Sequence, residues 1–569
     1  MNSEGSPQAG SPGGVAVAAP EREPALRRRA AGGRARWFAL HGWIGMAFGL
    51  WLSLICLSGA VAVFSYEIDW LLDPSRKAAG AEPGEVDWEA TKRSLDAAFP
   101  YHTISYISGP RHGGFAVQAY ARRPDGTGSK IFVDPESGAI LAERSFFDVQ
   151  RFFRSLHRNL FNGRAGILVV TCFAWILLLA TASALLFLKR WWRGFLRLRL
   201  SRRQLWPSLF REGHRLVGLW SLPLGAVMAA TGLWYQLELA APFSEPRARV
   251  DAETLSERPP IVETADLNEL ARRAEAAIPG MEANILYWQG PAAPLGFAGL
   301  RQWWARERAN AVQFDPVSGE RLRLHRAEEL GVHGIVSNAA DPLHFGTFGG
   351  LPTQALWFLG GLALAALPLT GAVLWYRRHL AERERAQLGR ASRWGLRAVP
   401  LATLGLFVWI GFGAAEEADS YLAGDKRASL VATAAAGPWS AAILRREAGE
   451  TAAKPAMEPG VRLGAPGDGE PLAVAVRWRQ GGEGPVEASR SGPVWWAELP
   501  ETGSEGALRL EVQEPGGAWH AAEFRAEELR AKGVRLDGPP TPLPYVWIVS
   551  GLFAAACLGV TLAWLRYLR

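Results

Sequence analysis

Four histidines, His41, His157, His214 and His344, stand where long runs of apolar residues begin. An imidazole is both a base that titrates near neutrality and a metal ligand, and at the end of a lipid-buried helix it is costly unless something takes its polar atoms. Followed through the apolar runs, chain direction sorts the four into two pairs, His41 with His214 at one membrane face and His157 with His344 at the other. Two neutral imidazoles on opposite faces of one iron are what a bis-histidine haem needs. The set therefore reads as two buried haem sites, one above the other, in an electron carrier. No C-x-x-C-H is present, so such haem would be held without covalent attachment. For any one histidine, anchoring of a helix end at the headgroups is an equally ordinary role; four in register with a repeat favour ligation.

The elements that must position them are membrane helices. Hydrophobic residues make up 49 % of the 569 residues, with 25 Trp and 25 Phe, more than a solvated surface uses. Runs long enough to cross a bilayer fall near 42–65, 165–188, 215–238 and 354–376, with a shorter one at 398–414 and a last at 545–565. Lys189 to Arg211 holds eight Lys/Arg and no acid, Arg377 to Arg397 seven Arg against two Glu, and the residues before Trp37 are also basic. These stretches flank alternate ends of the runs, so the positive-inside rule puts them and the N-terminus in the cytoplasm of a multi-pass inner-membrane protein. The loops 67–156, 239–345 and 415–544 then lie in the periplasm. The Gly/Ser/Ala/Pro-rich leader, 1–36, is expected to be disordered and the first run to act as an uncleaved anchor. Cys56, Cys172 and Cys557 all lie inside runs and read as packing residues.

The first 380 residues contain one unit twice. His41 is followed by Gly45 and Gly59, His214 by Gly218 and Gly232, at intervals of four and eighteen residues in both. Eighteen residues are five full helical turns, so each run carries one face of a histidine and small residues, on which a flat macrocycle or another helix can approach closely. The loops repeat as well: an amphipathic helix (Trp88 to Phe99; Leu267 to Ile278), then strands and a hairpin turning on Asp134-Pro-Glu-Ser-Gly138 or Asp315-Pro-Val-Ser-Gly319. Repeat 1 spans 37–190 and repeat 2 spans 210–380. Residues 381–569 add two apolar runs around 415–544, where Pro471–Trp478, Val494–Leu499 and Leu508–Val512 alternate like strands. The expected fold is a membrane all-α bundle of about six transmembrane helices with two external α+β domains and a small external β-rich C-terminal domain.

Through the H-x-x-x-G helices, the Leu-His pairs at 156–157 and 343–344, and the VDP-x-SG and FDP-x-SG hairpins, residues 36–380 resemble the PepSY-associated transmembrane family, which includes iron-regulated membrane proteins and siderophore reductases. The resemblance implies PepSY-like external domains, two haem b groups with His41, His157, His214 and His344 as axial ligands, and oxidoreductase activity toward an external ferric siderophore or similar metal chelate. Arg158 and Arg215, each next to a histidine, are candidate partners for haem propionates. No G-x-G-x-x-G opens a helix after a strand, so electrons would come from a cytoplasmic reductase or from quinol. His333 is a candidate to replace or supplement His344.

Other classes compete less well. The +7 net charge sits in stretches flanking the apolar runs, which does not suit nucleic-acid binding. A permease would need charged or broken helices at mid-membrane, and in the third run only Pro223 interrupts the apolar sequence. The real alternative is a membrane-anchored module whose PepSY-like domains bind peptide or restrain a protease without redox activity; it predicts a colourless protein.

Overall fold

The computed structural model of the protein describes residues 33–78, 85–99, 102–123, 127–188, 191–197, 205–240, 265–288 and 294–381, and beyond these the helices and strands named below. Most of the leader and much of the two arginine-rich stretches, 198–204 and 382–401, lie outside the described residues.

Repeat 1 opens with α1 (Gly33–Val63), which runs almost directly into α2 (Ser65–Leu72). The external segment follows as α3 (Trp88–Ala98), then β1 (Thr103–Ser108), β2 (Val117–Arg122), β3 (Gly128–Val133) and β4 (Ile140–Ser145). A short helix α4 (Val149–Asn159) leads into α5 (Gly163–Phe187). Repeat 2 has the same order: α6 (Leu205–Trp220), α7 (Leu222–Ala240), α8 (Leu267–Ala277), β5 (Glu282–Tyr287), β6 (Leu295–Leu300), β7 (Asn310–Phe314), β8 (Arg321–His325), α9 (Val332–Phe345) and α10 (Gly350–Ala381). The two expected amphipathic helices are α3 and α8, capped by Asp87 and Asp266, whose carboxylates accept from Ala90 N and Glu269 N. Both expected hairpin turns form: Gly138 and Gly319 take φ of 69° and 67°, and the Asp134 and Asp315 side chains accept from the turn amides.

Among the described residues three helices, α1, α5 and α10, are long and apolar enough to cross a membrane, or up to four spans if α6 and α7 are one bent span. Up to four of the six expected spans are thus matched among the described residues. The run at 398–414 yields α11 (Gly405–Ala415), too short alone for a ~30 Å hydrocarbon core, and the run at 545–565 yields the 25-residue α12 (Pro544–Leu568). The bend between α6 and α7 is 57°. Its cause is Pro223, which has no N–H for the carbonyl one turn back. In the bundle α1 packs against α10 and α5, and α7 against α5. Ser53 Oγ donates to Ala365 O at 2.8 Å, tying α1 to α10.

The two external domains are not separate. β1 pairs antiparallel with β5 (Ile107 with Leu286, Ser108 with Ile285), giving one eight-stranded sheet in the order β4-β3-β2-β1-β5-β6-β7-β8. One face carries Ile107, Val117, Ala119, Ile131, Leu286, Phe297 and Val312 into a core closed by Trp88 and Leu95 of α3 and Leu267, Leu270 and Ala274 of α8. The period-2 alternation turns Gln118, Tyr120, Lys130 and Phe132 to the opposite face. There Lys130, 1 % exposed, meets Asp148 at 2.5 Å, and Arg76 meets the same carboxylate at 2.8 Å. Asp148 caps α4 by accepting from Arg151 N, while Asp69 of α2 accepts from Val149 N and Gln150 N. The chain beyond 381 closes over this junction: Tyr545 Oη donates to Asp69 at 2.9 Å, and Phe553 packs edge-on to Phe153. Its strands β9 (Ala428–Ala436), β10 (Trp439–Arg446), β11 (Pro459–Gly464), β14 (Ser489–Ser491), β15 (Val494–Trp496) and β18 (Val534–Arg535) form a six-stranded sheet. A four-stranded sheet holds β12 (Ala475–Gln480), β13 (Val486–Glu487), β16 (Ala507–Gln513) and β17 (Trp519–Arg525); of the three strand segments expected from alternation, 508–512 lies within β16, and the other two overlap β12 and β15, their residues 471–474 and 497–499 lying outside the described residues.

Asp148→Ala would leave Lys130 and Arg76 buried without their shared carboxylate, and it is expected to lower stability by about 3–5 kcal/mol, read as thermal unfolding of detergent-purified protein. Burial first, and Asp148 second, push the Asp69 carboxyl up to about 6. A raised carboxyl pKa means that the folded state holds the proton longer, so its stability contribution is complete at low pH and is lost as pH rises through about 6. Asp69→Asn, with no proton to lose, is expected to flatten the unfolding-temperature profile between about pH 4 and pH 7; an unchanged slope would contradict this.

Candidate cofactor site

Both expected histidine pairs come together. The His41 and His214 rings lie 6.3 Å apart between centroids, and the His157 and His344 rings 5.9 Å apart. The first pair sits at the end of the bundle away from the eight-stranded sheet, on α1 and α6; the second sits at the sheet end, on α4 and α9. One detail differs from the expectation of a histidine at the head of each span. His157 and His344 lie in the last turns of separate short helices. α4 stops at Leu160 and Phe161, which take φ of 49° and 61°, and α9 stops at Gly346, φ 72°. These left-handed residues reverse the chain before α5 and α10 begin.

Each imidazole spends Nδ1 on a partner from the other long helix of its own repeat. His41 Nδ1 lies 3.1 Å from both Ala180 O and Ser183 Oγ of α5. His157 Nδ1 lies 2.8 Å from Ile55 O of α1. In repeat 2, His214 Nδ1 is 2.9 Å from Thr370 Oγ1 of α10, and His344 Nδ1 is 2.8 Å from Thr231 Oγ1 of α7. The direction of these bonds follows from the partners. A carbonyl oxygen only accepts. The three hydroxyls have already committed their hydrogens, Ser183 to Ala180 O, Thr370 to Ala366 O and Leu367 O, and Thr231 to Val227 O. Opposite the Ala180 and Ile55 carbonyls Nδ1–H is the donor, and opposite Thr370 and Thr231 the bonds of the hydroxyls back to their own helices favour the same direction. One tautomer, with the lone pair on Nε2, thus suits all four neutral rings.

A ring held this way has the geometry that a metal ligand needs, because a hydrogen-bond acceptor on the second nitrogen orients a ligating histidine and makes it more basic. The spacing agrees with it. Two imidazoles that shared one metal ion, with a metal–nitrogen bond of about 2.0 Å and a ring radius of roughly 1.1 Å on each side, would have centroids up to about 6 Å apart. The glycines of the repeat divide their work. A β-carbon at Gly59 would stand 2.5 Å from the His157 ring, and one at Gly371 would stand 3.0 Å from the His214 ring, so both exist to let an imidazole lie on the helix backbone. At Gly232 the neighbour is Ala174 of α5, which is plain helix packing. A β-carbon at Gly45, one turn beyond His41, would meet nothing within 4 Å.

Other candidates fall elsewhere. Arg215 pairs with Glu212 at 2.8 Å and donates to Gly194 O and Arg197 O, so it pins the Trp191–Arg197 segment to α6 with most of its N–H donors. His333 packs against Trp234 and Glu238 of α7, away from His157. His102 and His112 lie against Glu143 and Glu67. Trp303 packs on Phe348, and Phe147 on Trp547. Residues that the sequence motifs did not single out are Ser183 and Thr370. Each follows its repeat's second histidine by 26 residues, just as Ser58 and Thr231 follow the first by 17, and that equal spacing is the signal that marks them.

The family model described as "PepSY-associated TM region" matches residues 14–378 of this chain. An uncharacterized protein of Pseudomonas aeruginosa is 29 % identical over 254 residues, which cover 39 % of this chain and 62 % of that protein, so less than two thirds of its length is spanned.

Thr231→Val is expected to leave the His344 Nδ1–H buried without an acceptor and to lower stability by about 1–3 kcal/mol. Thr231→Ser, which keeps the hydroxyl, should recover most of that loss in the same unfolding measurement. Equal midpoints for the two variants would show that the hydroxyl does not hold the ring.

Proposed function

Because the chain belongs to the PepSY-associated TM region family, we propose that this membrane protein binds two haem b groups and carries electrons across the bilayer. His41 with His214 would hold one haem and His157 with His344 the other. The observation that carries the reading is the common tautomer: four histidines in two pairs about 6 Å apart, each with Nδ1–H committed and Nε2 left as the ligand atom. Once bound, haem supplies one-electron redox chemistry. The protein's residues do the rest. Ser183, Ile55, Thr370 and Thr231 accept from the imidazoles and so fix ring rotation and raise ligand basicity. Gly59 and Gly371 let two of the rings approach the helix backbone, and the apolar helices exclude water.

The reaction assigned is one-electron reduction of an external ferric siderophore or similar metal chelate, with the electron drawn from a cytoplasmic reductase or from quinol. Hard oxygen donors suit Fe(III) and hold the softer Fe(II) less tightly, so reduction loosens the chelate. The positive-inside rule supports a bacterial inner-membrane location with the N-terminus inside and the eight-stranded sheet in the periplasm. In that orientation His157 and His344 stand at the delivering end and His41 and His214 at the receiving end.

The deciding measurement is an optical spectrum of the detergent-purified protein, oxidised and dithionite-reduced, with a pyridine haemochrome count. About two b-type haems per chain are expected, with His41→Ala and His344→Ala each losing about one, and the reduced protein should be reoxidised by a ferric hydroxamate. A colourless protein from haem-replete cells would overturn the reading and leave the external domains as a binding module.

A further inference from the structure

On the membrane-facing side of the eight-stranded sheet, at the seam where β1 meets β5, lies a cavity of about 150 Å³. It is separate from the histidine pairs, and its chemistry does not depend on a cofactor. Both repeats build it. Repeat 1 contributes Tyr66 of α2, Tyr106 of β1, Gln118 and Tyr120 of β2, and Arg111; repeat 2 contributes Asn284 of β5 and the adjacent Glu307 and Arg308.

Two of its polar atoms are buried and unanswered. Gln118 is 9 % exposed and its Nε2 has no hydrogen-bond partner, and Asn284 Oδ1 across the seam likewise has none. Buried amide atoms left unpaired cost free energy and need an explanation. Around them the donors outnumber the acceptors. Arg76, at the back, is committed to Asp148. Arg111 lies over the Tyr66 ring at 4.4 Å and 3.6 Å from Glu67, and Arg308 lies over the Tyr106 ring at 6.0 Å. Among the described residues Arg308 makes no ion pair, and Glu307 is the one carboxylate that lines the cavity. The Tyr106 and Tyr120 rings stack at 4.2 Å and close one wall.

An apolar guest would leave the Gln118 amide unpaired, and a cation would face the guanidinium groups. A cavity of about 150 Å³ takes a guest of roughly benzene size, enough for a phosphate or a carboxylate with a small substituent and not for a peptide. We propose that the seam cavity binds a small oxyanion, phosphate or carboxylate, through Gln118 Nε2 and the Arg111 and Arg308 guanidinium groups. A guanidinium presents paired N–H donors to such oxygens. Because its ligands come from both repeats, the occupant would bridge the two external domains at their joint.

The test is isothermal titration calorimetry of the full-length, detergent-purified protein with inorganic phosphate and with benzoate. Saturable binding of at least one is expected, weakened roughly tenfold or more in both Arg308→Ala and Gln118→Leu, and unchanged in Arg272→Ala, whose exposed guanidinium pairs with Glu269 on α8. Arg308 is exposed, so its truncation does not threaten the fold. No saturable heat with either probe, or equal affinity in Arg308→Ala and Gln118→Leu to that of the unaltered protein, overturns the proposal. Nanodiscs separate the sources. If the natural oxyanion is a lipid headgroup, phosphatidylglycerol discs suppress the binding that phosphatidylcholine discs allow; if it is a soluble anion, both discs bind alike.

Discussion

A histidine inside an apolar bundle must have its N–H answered, because no water is at hand to do so. In this chain that single requirement organises both repeats. The acceptors are helix groups: the Ile55 and Ala180 carbonyls and the hydroxyls of Ser183, Thr231 and Thr370, each hydroxyl already bonded back to its own helix. A hydroxyl so committed favours accepting, which suits Ser and Thr here to this role and narrows the tautomeric freedom of the rings. The acceptors come from the other long helix of the same repeat, while the facing imidazole comes from the other repeat. One set of bonds thus holds each repeat together, and the pairs of rings then form where the repeats meet.

The two ends of the bundle secure their histidine helices differently. α4 is held by charge. Asp69 and Asp148 cap its first turn, and Lys130 of the sheet and Arg76 neutralise them, with Tyr545 from the C-terminal helix completing the network. Buried charges in this number are costly unless each has a partner, so the network fixes a position more than it adds stability. α9 has a lighter tie: Arg306 meets Asp341 at 2.7 Å, and Tyr235 of α7 donates to the same carboxylate. The residues beyond 381 therefore have a structural place. α11 and α12 pack around α4, the start of α5 and the middle of α1, where Asn162 donates to Trp409 O and Phe407 rests on Trp51 of α1.

Much of this architecture is legible in the sequence because it is periodic or local. The histidine pairs, the amphipathic α3 and α8, and the Asp-Pro-x-Ser-Gly turns all follow from spacing or from turn chemistry acting over a few residues. What escapes is either non-local or unpunctuated. The β1 to β5 pairing joins strands almost 180 residues apart through two residue pairs, and nothing in either strand announces it. The break between α4 and α5 falls at Leu160 and Phe161, bulky residues with positive φ, where Gly or Asn is the usual sign. Lys130 has the sequence surroundings of any exposed strand lysine, and only the fold encloses it with Asp148 and Arg76. The short α11 resembles a span because composition alone does not tell a packed apolar helix from a crossing one.

The fused sheet matters for the histidines beneath it. Taken separately, each four-stranded unit would expose β1 or β5 as an edge, a row of unpaired backbone groups that invites unwanted pairing. Joining them removes both edges and merges the two external domains into a single layer. β4 leads within four residues into α4 and His157, and β8 leads within seven into α9 and His344. The sheet-end imidazoles are therefore carried by the two outer strands of a single hydrogen-bonded layer, and their 5.9 Å separation is set by strand pairing as well as by helix packing. At the opposite end no such layer exists among the described residues. His41 and His214 depend on α1, α5, α6 and α10 alone, with Arg215 bracing the connecting segment. Two sites built from the same repeat are thus braced by different elements, and a distortion of the sheet would bear directly on the His157–His344 pair alone.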